Sequence, residues 1–401
     1  MTYDIVIVGA GPAGLSFARS LADSGLRIAI VEKQSRDQLA NPAFDGRDIA
    51  LTHLSVRLLR DLGVWDQFAE QDRSAIKAAR VLDGTSAYAL DFDNTDDSVE
   101  ALGYIISNHV IRKALYSIVE PLEEVEILTD KAVVSISAGA SSSMVTLDDD
   151  QQLQCSLVVA ADSRFSETRR MMGIPAAMQD FGRVCIVCRM EHKLPHEGIA
   201  YECFHYGRTL AVLPLGSKLS SIVVTAPMDQ SDSLLRMDDA EFSRDIQARF
   251  DNRYGDMTLV TERFAYPLVG VHARRFYGNR FALIGDAAVG MHPVTAHGYN
   301  LGLSGQEILA NEILAAVSRG TDIAATELLR RYDRRHMRIT KPMYYGTNHI
   351  VGMFTDDRLP AKLLRTAALR LANNLPPVKH AIRNKLTELT GSKGMLPPIF
   401  R

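Results

Sequence analysis

Three glycines near the N-terminus have the spacing with which a main chain approaches a phosphate group. Gly9, Gly11 and Gly14 form a G-x-G-x-x-G directly after the β-branched stretch DIVIV. The first glycine permits a tight turn, the second allows close approach to a pyrophosphate, and the third permits close packing of a helix on the strand. Glu32 follows 18 residues after Gly14, where a carboxylate can accept hydrogen bonds from ribose hydroxyls. This combination predicts a bound adenine dinucleotide.

A second glycine-rich segment, GDAAVGMHPVTAHGYNLGL at 285 to 303, follows the apolar stretch FALI. Asp286 would stand at the C-terminal end of that strand, where its carboxylate can accept a hydrogen bond from a ribityl hydroxyl of FAD. A helix that begins here would direct its free N–H groups at the flavin edge that becomes negative on reduction. The candidate residues around this helix start are Pro293, His297, Gly298, Asn300 and Leu301. The second segment therefore favours FAD as the dinucleotide.

The elements that would position these residues predict an α/β fold. We expect a Rossmann-like FAD-binding domain that is discontinuous, over residues 1–75, 100–175 and 270–330. Segments such as RVCIVCRME and SSIVVTAP alternate with period 2, which favours a mostly antiparallel sheet. That sheet would form a substrate domain from residues 76–99 and 176–269 and cover the flavin. Residues 331–401 would form a helical C-terminal region.

Composition limits the class of protein. The chain has 401 residues, 46% of them hydrophobic and 23% charged, which is ordinary for a globular protein. A net charge of −3 gives no argument for nucleic acid as a partner. Four cysteines in 401 residues are too few for a disulfide framework, which indicates a reducing compartment. No apolar run reaches the roughly 18 residues of a membrane-spanning helix. Because no signal sequence is evident, we expect a cytoplasmic protein.

The pair Cys185 and Cys188 forms a C-x-x-C that raises the question of a zinc or redox site. The segment is predicted to be a strand, and residues three apart on a strand point to opposite faces. We therefore interpret both residues as core cysteines and predict no metal site.

Five blocks of sequence carry a resemblance to a known family. They are VIVGAGPAGL, GRDIALTHLSVRLLRDLGVW, LVVAADSRFSETRR, YPLVGVHARRFYGNRFALIGDAA and HPVTAHGYNLGL. In order and spacing the chain resembles the class A flavoprotein monooxygenases, which are FAD-dependent aromatic hydroxylases, and among them the hydroxylases of ubiquinone biosynthesis. The resemblance implies further cofactor-binding residues at positions that match the family's motifs. They are Ala13, Lys33, Arg47, Arg112, Val133 and Asp162.

The resemblance also implies a reaction. NADPH or NADH would reduce FAD, O₂ would form a flavin C4a-hydroperoxide, and one oxygen atom would enter an aromatic ring. Water must be excluded from such a site, and His297 is the candidate to relay the phenol proton. Pro293 would lie beside the reacting ring. The sequence departs from the family at Ser163, Val289 and Ala296, where glycine, histidine and glycine are usual, and Ser163 bears on nicotinamide binding.

The implied substrate is a polyprenylated phenol on the way to ubiquinone. Three alternatives stay open: a small soluble phenol as substrate, a non-catalytic prenyl-lipid-binding protein of the same fold, and a flavin reductase or dehydrogenase of polyprenyl chains. The C-terminal segment 358–401 carries nine Lys or Arg against one Glu. It would either contact an anionic inner-membrane surface or a protein assembly, or pack on its own domain or on a second subunit.

Overall fold

The computed structural model describes residues 1–83, 89–93, 101–205, 207–292 and 297–355. Its strands in chain order are β1 (Thr2–Val8), β2 (Ile28–Val31), β3 (Asp48–Leu51), β4 (Ser74–Ile76), β5 (Ala78–Asp83), β6 (Ala89–Asp93), β7 (Gly103–Ser107), β8 (Val125–Leu128), β9 (Val133–Ala138), β10 (Ser143–Leu147), β11 (Gln152–Ala160), β12 (Ala176–His192), β13 (Ile199–His205), β14 (Arg208–Pro214), β15 (Leu219–Pro227), β16 (Met257–Leu259), β17 (Phe264–Ala273), β18 (Tyr277–Gly278), β19 (Phe281–Leu283) and β20 (Val289–Gly290). Its α-helices are α1 (Pro12–Ser20), α2 (Arg36–Ala40), α3 (His53–Asp61), α4 (Asn108–Val119), α5 (Glu167–Met171), α6 (Met228–Arg236), α7 (Asp239–Arg249), α8 (His297–Ser318) and α9 (Thr326–Thr355). The predicted site residue Pro293 and the basic segment 358–401 lie outside the described residues.

The N-terminal strand lies in the middle of a largely parallel sheet, here called the parallel sheet. Its order is β18-β19-β11-β1-β2-β8, with β9 and β10 added beside β11. Ile5 pairs with Leu157 of β11 on one side and with Ile28 of β2 on the other. These residues are buried because helices cover the sheet, and such burial explains the almost uninterrupted apolar sequence of β1.

A second sheet, here called the roof sheet, has the order β20-β17-β12-β15-β14-β13-β5-β6, with β16 beside β12. Its pairings are antiparallel except that of β13 with β5. One face is covered by α6 and α7, whose Leu234, Phe242 and Ile246 pack in the same cluster as Cys188. Cys185 belongs to a separate cluster on the other face. The two cysteines therefore point away from each other, as predicted.

A small sheet of order β3-β7-β4 lies between the other two. The Arg189 guanidinium on β12 pairs with Asp48 on β3, with 2.6 Å between Nη2 and Oδ1, and also donates to the Ser107 hydroxyl. The Asp48 side chain is completely buried. This ion pair links the roof sheet to the strand that follows the loop around Arg47.

The long helix α9 packs against the parallel sheet and the roof sheet. The Tyr332 hydroxyl donates to the Leu283 carbonyl of β19 at 2.6 Å, and Tyr344 lies against Gly270 of β17. Both tyrosines are buried. The predicted boundary at residue 330 therefore falls inside a helix that is part of the core. In the described ranges, no helix has both the length and the apolarity needed to cross a bilayer.

Candidate functional site

The three glycines after β1 have the environments that their predicted tasks require. Gly9 has φ +107°, and a Cβ there would lie 2.6 Å from the Ala161 carbonyl oxygen. A Cβ on Gly14 would lie 2.0 Å from the Gly9 oxygen, so the helix approaches the strand more closely than a side chain allows. A Cβ on Gly11 would meet nothing within 4 Å. The turn is thus closed on the protein side and open over the first turn of α1.

Glu32 ends β2 beside this open space. Its Oε2 accepts the Ala10 N–H at 2.7 Å, and its Oε1 accepts the Gln34 N–H at 2.9 Å. A carboxylate offers about four acceptor positions, so about two remain, which matches the two hydroxyls of a ribose. Arg112 of α4 donates to the Gln34 side-chain oxygen at 2.7 Å. Glu32 and Arg112 are therefore brought to one end of the cleft.

Two other residues that the resemblance implied lie at the edge of this region. The ammonium group of Lys33 pairs with Glu167 at 2.8 Å, and both side chains are more than half exposed. Val133 is buried at the start of β9 and pairs with Leu147. Ala13 lies against Gly285 of the second glycine-rich segment. A Cβ on Gly285 would lie 2.7 Å from the Ala13 Cβ. The first and second glycine-rich segments therefore touch each other, although 272 positions separate Ala13 from Gly285.

The turn after β11 holds Asp162 and Ser163. Asp162 accepts the Ser166 hydroxyl at 2.6 Å and the Thr168 N–H at 3.0 Å. Ser163 has φ +79°, in the region that favours glycine, which explains why glycine is usual here in the family. Serine keeps the turn geometry in this chain at the cost of local strain.

Asp286 lies where the sequence predicted it, directly after β19, and the structure adds a partner that the sequence did not indicate. Arg164 donates from Nη2 to Asp286 at 3.1 Å and from Nη1 to the Val269 carbonyl oxygen of the roof sheet at 3.1 Å. The buried Arg169 donates to the Ala287 carbonyl oxygen at 3.0 Å. Two arginines of the segment DSRFSETRR therefore fix the second glycine-rich segment.

The start of α8 is tied to the chain after Arg47. Asn300 donates to the Ala50 carbonyl oxygen at 2.9 Å and accepts the Thr52 N–H at 3.1 Å. Leu301 and His297 are buried. A Cβ on Gly298 would meet nothing within 4 Å. The helix therefore presents an open position at Gly298 beside a buried histidine.

Arg47 stands between the two large sheets. Its guanidinium pairs with Asp45 at 2.6 Å and lies 5.5 Å from the ring centre of Tyr266 on β17. Burial alone would raise the pKa of Asp45, but the hydrogen bonds and charge of Arg47, with the Asn108 amide, lower it below its usual value. The Tyr266 hydroxyl donates to the Asp45 carbonyl oxygen at 2.6 Å. The Arg47 loop is thereby attached to the roof sheet.

The face of the roof sheet that meets this loop is apolar. Phe44 and Phe264 are in edge-to-face contact with ring centres 5.6 Å apart, and a Cβ on Gly46 would lie 2.5 Å from Phe264. His292 packs its ring on Phe181 at 4.8 Å, and burial, followed by the charge of Arg183, lowers the pKa of His292 to about 4. Further residues of this face are Cys185, Val187, Val223 and Leu268. We call it the inner face.

These features fit FAD. Backbone crowding at Gly9 and Gly14, the open first turn of α1 and the unused acceptor positions on Glu32 suit a dinucleotide pyrophosphate and ribose. The apolar inner face suits a flat ring system. Within the part of the chain that the structure describes, no group of three His, Cys, Asp or Glu side chains is arranged to hold a metal ion.

Comparisons with known proteins agree with this geometry. Residues 2–345 match the family model described as FAD binding domain. The ubiquinone hydroxylase UbiM of Neisseria meningitidis serogroup C is 48% identical over 388 residues, which cover 96% of this chain and 84% of that protein. The ubiquinone hydroxylase UbiL of Rhodospirillum rubrum is 31% identical over 376 residues, which cover 94% and 87%. The solved structure of p-nitrophenol 4-monooxygenase PnpA from Pseudomonas putida has the same fold, with a TM-score of 0.78, 18% identity and coverage of 96% and 98%.

Proposed function

The chain belongs to the FAD-dependent aromatic hydroxylases, and from this premise we propose that it hydroxylates a polyprenylated phenol on the way to ubiquinone. The observation that carries the proposal is the similarity to UbiM, which extends over 96% of the chain at 48% identity. The similarity to UbiL supports the same substrate class. O₂ and NADPH or NADH would be the co-substrates, as in the family.

FAD, when bound, supplies the redox chemistry: electrons from the nicotinamide donor activate O₂ for insertion into an electron-rich ring. The chain would hold the pyrophosphate at Gly9, Gly11 and Gly14 and the ribose at Glu32. Asp286 would face the ribityl chain, with Arg164 fixing its carboxylate. Asn300 would orient the start of α8 toward the ring system through its bonds to β3 and to Thr52.

The roof sheet would keep water from the reacting atoms. Its inner face offers Phe181, Phe264 and Leu268 to the cleft, and the Tyr266 hydrogen bond holds that face against the Arg47 loop. Exclusion of water protects a reactive oxygen species and strengthens electrostatic interactions inside the site. His297, buried at the start of α8, remains the predicted carrier of the phenol proton. Pro293 remains a predicted neighbour of the ring.

The test is complementation of a bacterial strain that lacks its own ubiquinone ring hydroxylases. Expression of the chain should restore ubiquinone, measured by mass spectrometry, and growth under ¹⁸O₂ should place one labelled oxygen on the ring. The matched control is Gly14→Ala. Its new Cβ would lie 2.0 Å from the Gly9 oxygen, so the turn could not keep the shape that holds FAD. FAD-loaded wild-type protein that restores nothing would refute the assignment, and turnover of small phenols alone would point to a soluble aromatic substrate.

We also propose that the basic segment 358–401 brings the enzyme to an anionic membrane or to a membrane-bound assembly, since a polyprenyl chain partitions into lipid. Nine Lys or Arg against one Glu in that segment support this contact. Protein with residues 358–401 deleted should fail to float with vesicles that contain anionic lipid, whereas the full chain should float and salt should release it. Equal flotation of both proteins would contradict the proposal.

A further inference from the structure

An acidic side chain lies on the inner face of the roof sheet, and neither the family motifs nor the cofactor site account for it. Glu202 is in β13 between Tyr201 and Cys203. Both neighbours belong to the cluster under α6 and α7. Because side chains alternate along a strand, Glu202 points to the opposite face, toward the cofactor loops.

The register of the sheet places Glu202 in an otherwise apolar row. Glu202 pairs with Ala211 on one side and with Val81 on the other. Continuing from strand to strand, the directly paired residues of this row are Phe264, Val187, Val223, Ala211, Glu202, Val81 and Leu90. Paired residues share a face, so one carboxyl group stands in an apolar row that ends at the Arg47 loop through Phe264. Glu202 lies three strand spacings, about 14 Å, from Val187 along this row. That distance is longer than one aromatic ring.

The carboxyl group of Glu202 has no partner in the part of the chain that the structure describes. Among the described residues, no hydrogen bond or ion pair reaches it, in contrast to Asp48 of the small sheet, whose charge Arg189 of the roof sheet neutralises. The side chain is half-buried, yet burial raises the pKa of Glu202 to about 8. Strand alternation turns this side chain away from the cluster under α6 and α7 that holds Tyr201 and Cys203, and toward the space between the sheets. Its charge also contributes, after burial, to the raised pKa of Cys185 on the same face. A desolvated acid without a partner among the described residues is suited to bind a polar group of a ligand.

We propose that Glu202, in place of His297, binds the phenolic hydroxyl of the substrate and accepts its proton as the ring is hydroxylated. The inference rests on the proposed function and adds the residue that recognises the substrate. In the transfer, the phenol O–H bond breaks and a carboxyl O–H bond forms, while the electron pair stays on the ring oxygen. That pair enriches the ring carbon that the electrophilic oxygen attacks. The carboxyl group returns the proton to solvent after the product leaves, so no further reactant is required. A base whose pKa lies near neutrality is suited to such a transfer.

Binding tests the proposal independently of turnover. The probes are 2-prenylphenol, with one five-carbon isoprene unit, and its methyl ether, which lacks the hydroxyl proton. Their Kd values would be measured by titration calorimetry on FAD-loaded wild type, Glu202→Gln and Glu191→Gln. Glu191 is an exposed residue on β12 of the same sheet and serves as the matched control. We expect wild type and Glu191→Gln to bind the phenol at least tenfold more tightly than the ether, and Glu202→Gln to bind the two within about threefold of each other.

Turnover gives a second readout. Glu202→Gln should lower kcat/KM for the phenol by about 10²- to 10⁴-fold, as for loss of a general base, and raise the share of NAD(P)H consumed that appears as H₂O₂. FAD content should stay at the wild-type level. Equal ratios of the Kd values for phenol and ether in wild type and Glu202→Gln would overturn the proposal. The proposal would also fail if His297→Ala lost the preference for the phenol while Glu202→Gln kept it. If wild type prefers the phenol through Glu202 but forms no labelled product from any prenylated phenol, the proposed function fails and the binding role stands.

Discussion

Substitution of Glu32 by glutamine tests the cofactor site most directly, because it preserves size and removes a charge. The carboxylate already accepts the Ala10 and Gln34 N–H groups, at 2.7 and 2.9 Å. About two acceptor positions remain for the ribose of FAD. A glutamine carbonyl offers about two positions in total, and its NH₂ group is a donor that would face either a backbone N–H or a ribose hydroxyl.

The expected cost follows from this count. One of the two backbone N–H groups loses its acceptor in both the free and the FAD-bound protein. Because this loss is the same in both states, it lowers the stability of the protein but not its affinity for FAD. In the complex, at least one ribose hydroxyl also loses a charged acceptor. A hydrogen bond to a charged group contributes about 1.5–3 kcal/mol, so we expect a loss of about 2 kcal/mol in binding, or about 30-fold in the Kd for FAD.

Apoprotein prepared by removal of FAD would be titrated with FAD, with quenching of flavin fluorescence as the signal. Asp37→Asn is the matched control, since Asp37 is an exposed acid in the first turn of α2, close to Glu32 in sequence. Its Kd should stay within about twofold of wild type. If Glu32→Gln also kept the wild-type Kd, the carboxylate would not be the ribose acceptor and the site as described would be wrong.

Three further predictions concern stability, each measured as the free energy of unfolding in urea. Ser163→Gly should be more stable than Ser163→Ala by about 1 kcal/mol because φ is +79° at this position, and equal values would contradict strain there. Burial lowers the pKa of His336 to about 3, so the unfolded chain binds one proton more than the folded chain between pH 6.5 and 3. Wild type should therefore lose roughly 1.4 kcal/mol per pH unit below pH 6.5 relative to His336→Gln, and parallel pH profiles would contradict this. Arg189→Met should lower the free energy of unfolding by about 3–5 kcal/mol because it removes the cation that pairs with the buried Asp48 carboxylate. Combining Arg189→Met with Asp48→Asn should lower it by less. A loss below about 1 kcal/mol in Arg189→Met alone would contradict the role of the pair.

Features encoded within one strand, turn and helix could be predicted from the sequence. The glycine turn after β1 and the carboxylate at the end of β2 depend on local geometry, and the structure brings them together as expected. The opposite orientation of Cys185 and Cys188 also follows from strand alternation alone.

Features that depend on distant contacts could not be predicted in this way. Arg164 and Asp286 lie 122 residues apart, and nothing in either segment names the other. Alternation shows which residues of β13 share a face, but the packing of Phe264 on Gly46 decides which face meets the cofactor loops. The role proposed for Glu202 was therefore invisible in the sequence.

The strand order of the parallel sheet has a consequence for the timing of synthesis. Residues 2–8 leave the ribosome before the other strands of this sheet, yet β1 lies beside β11 (Gln152–Ala160), which in turn pairs with β19 (Phe281–Leu283) on its other edge. At 5–20 residues per second, the 275 residues between positions 8 and 283 take roughly 14 to 55 s to translate. During that interval the nascent chain carries the apolar residues of β1 without their full set of neighbouring strands. Chaperone supply and translation speed should therefore determine the yield of folded enzyme, and FAD can stabilise the chain only after most of it has been made.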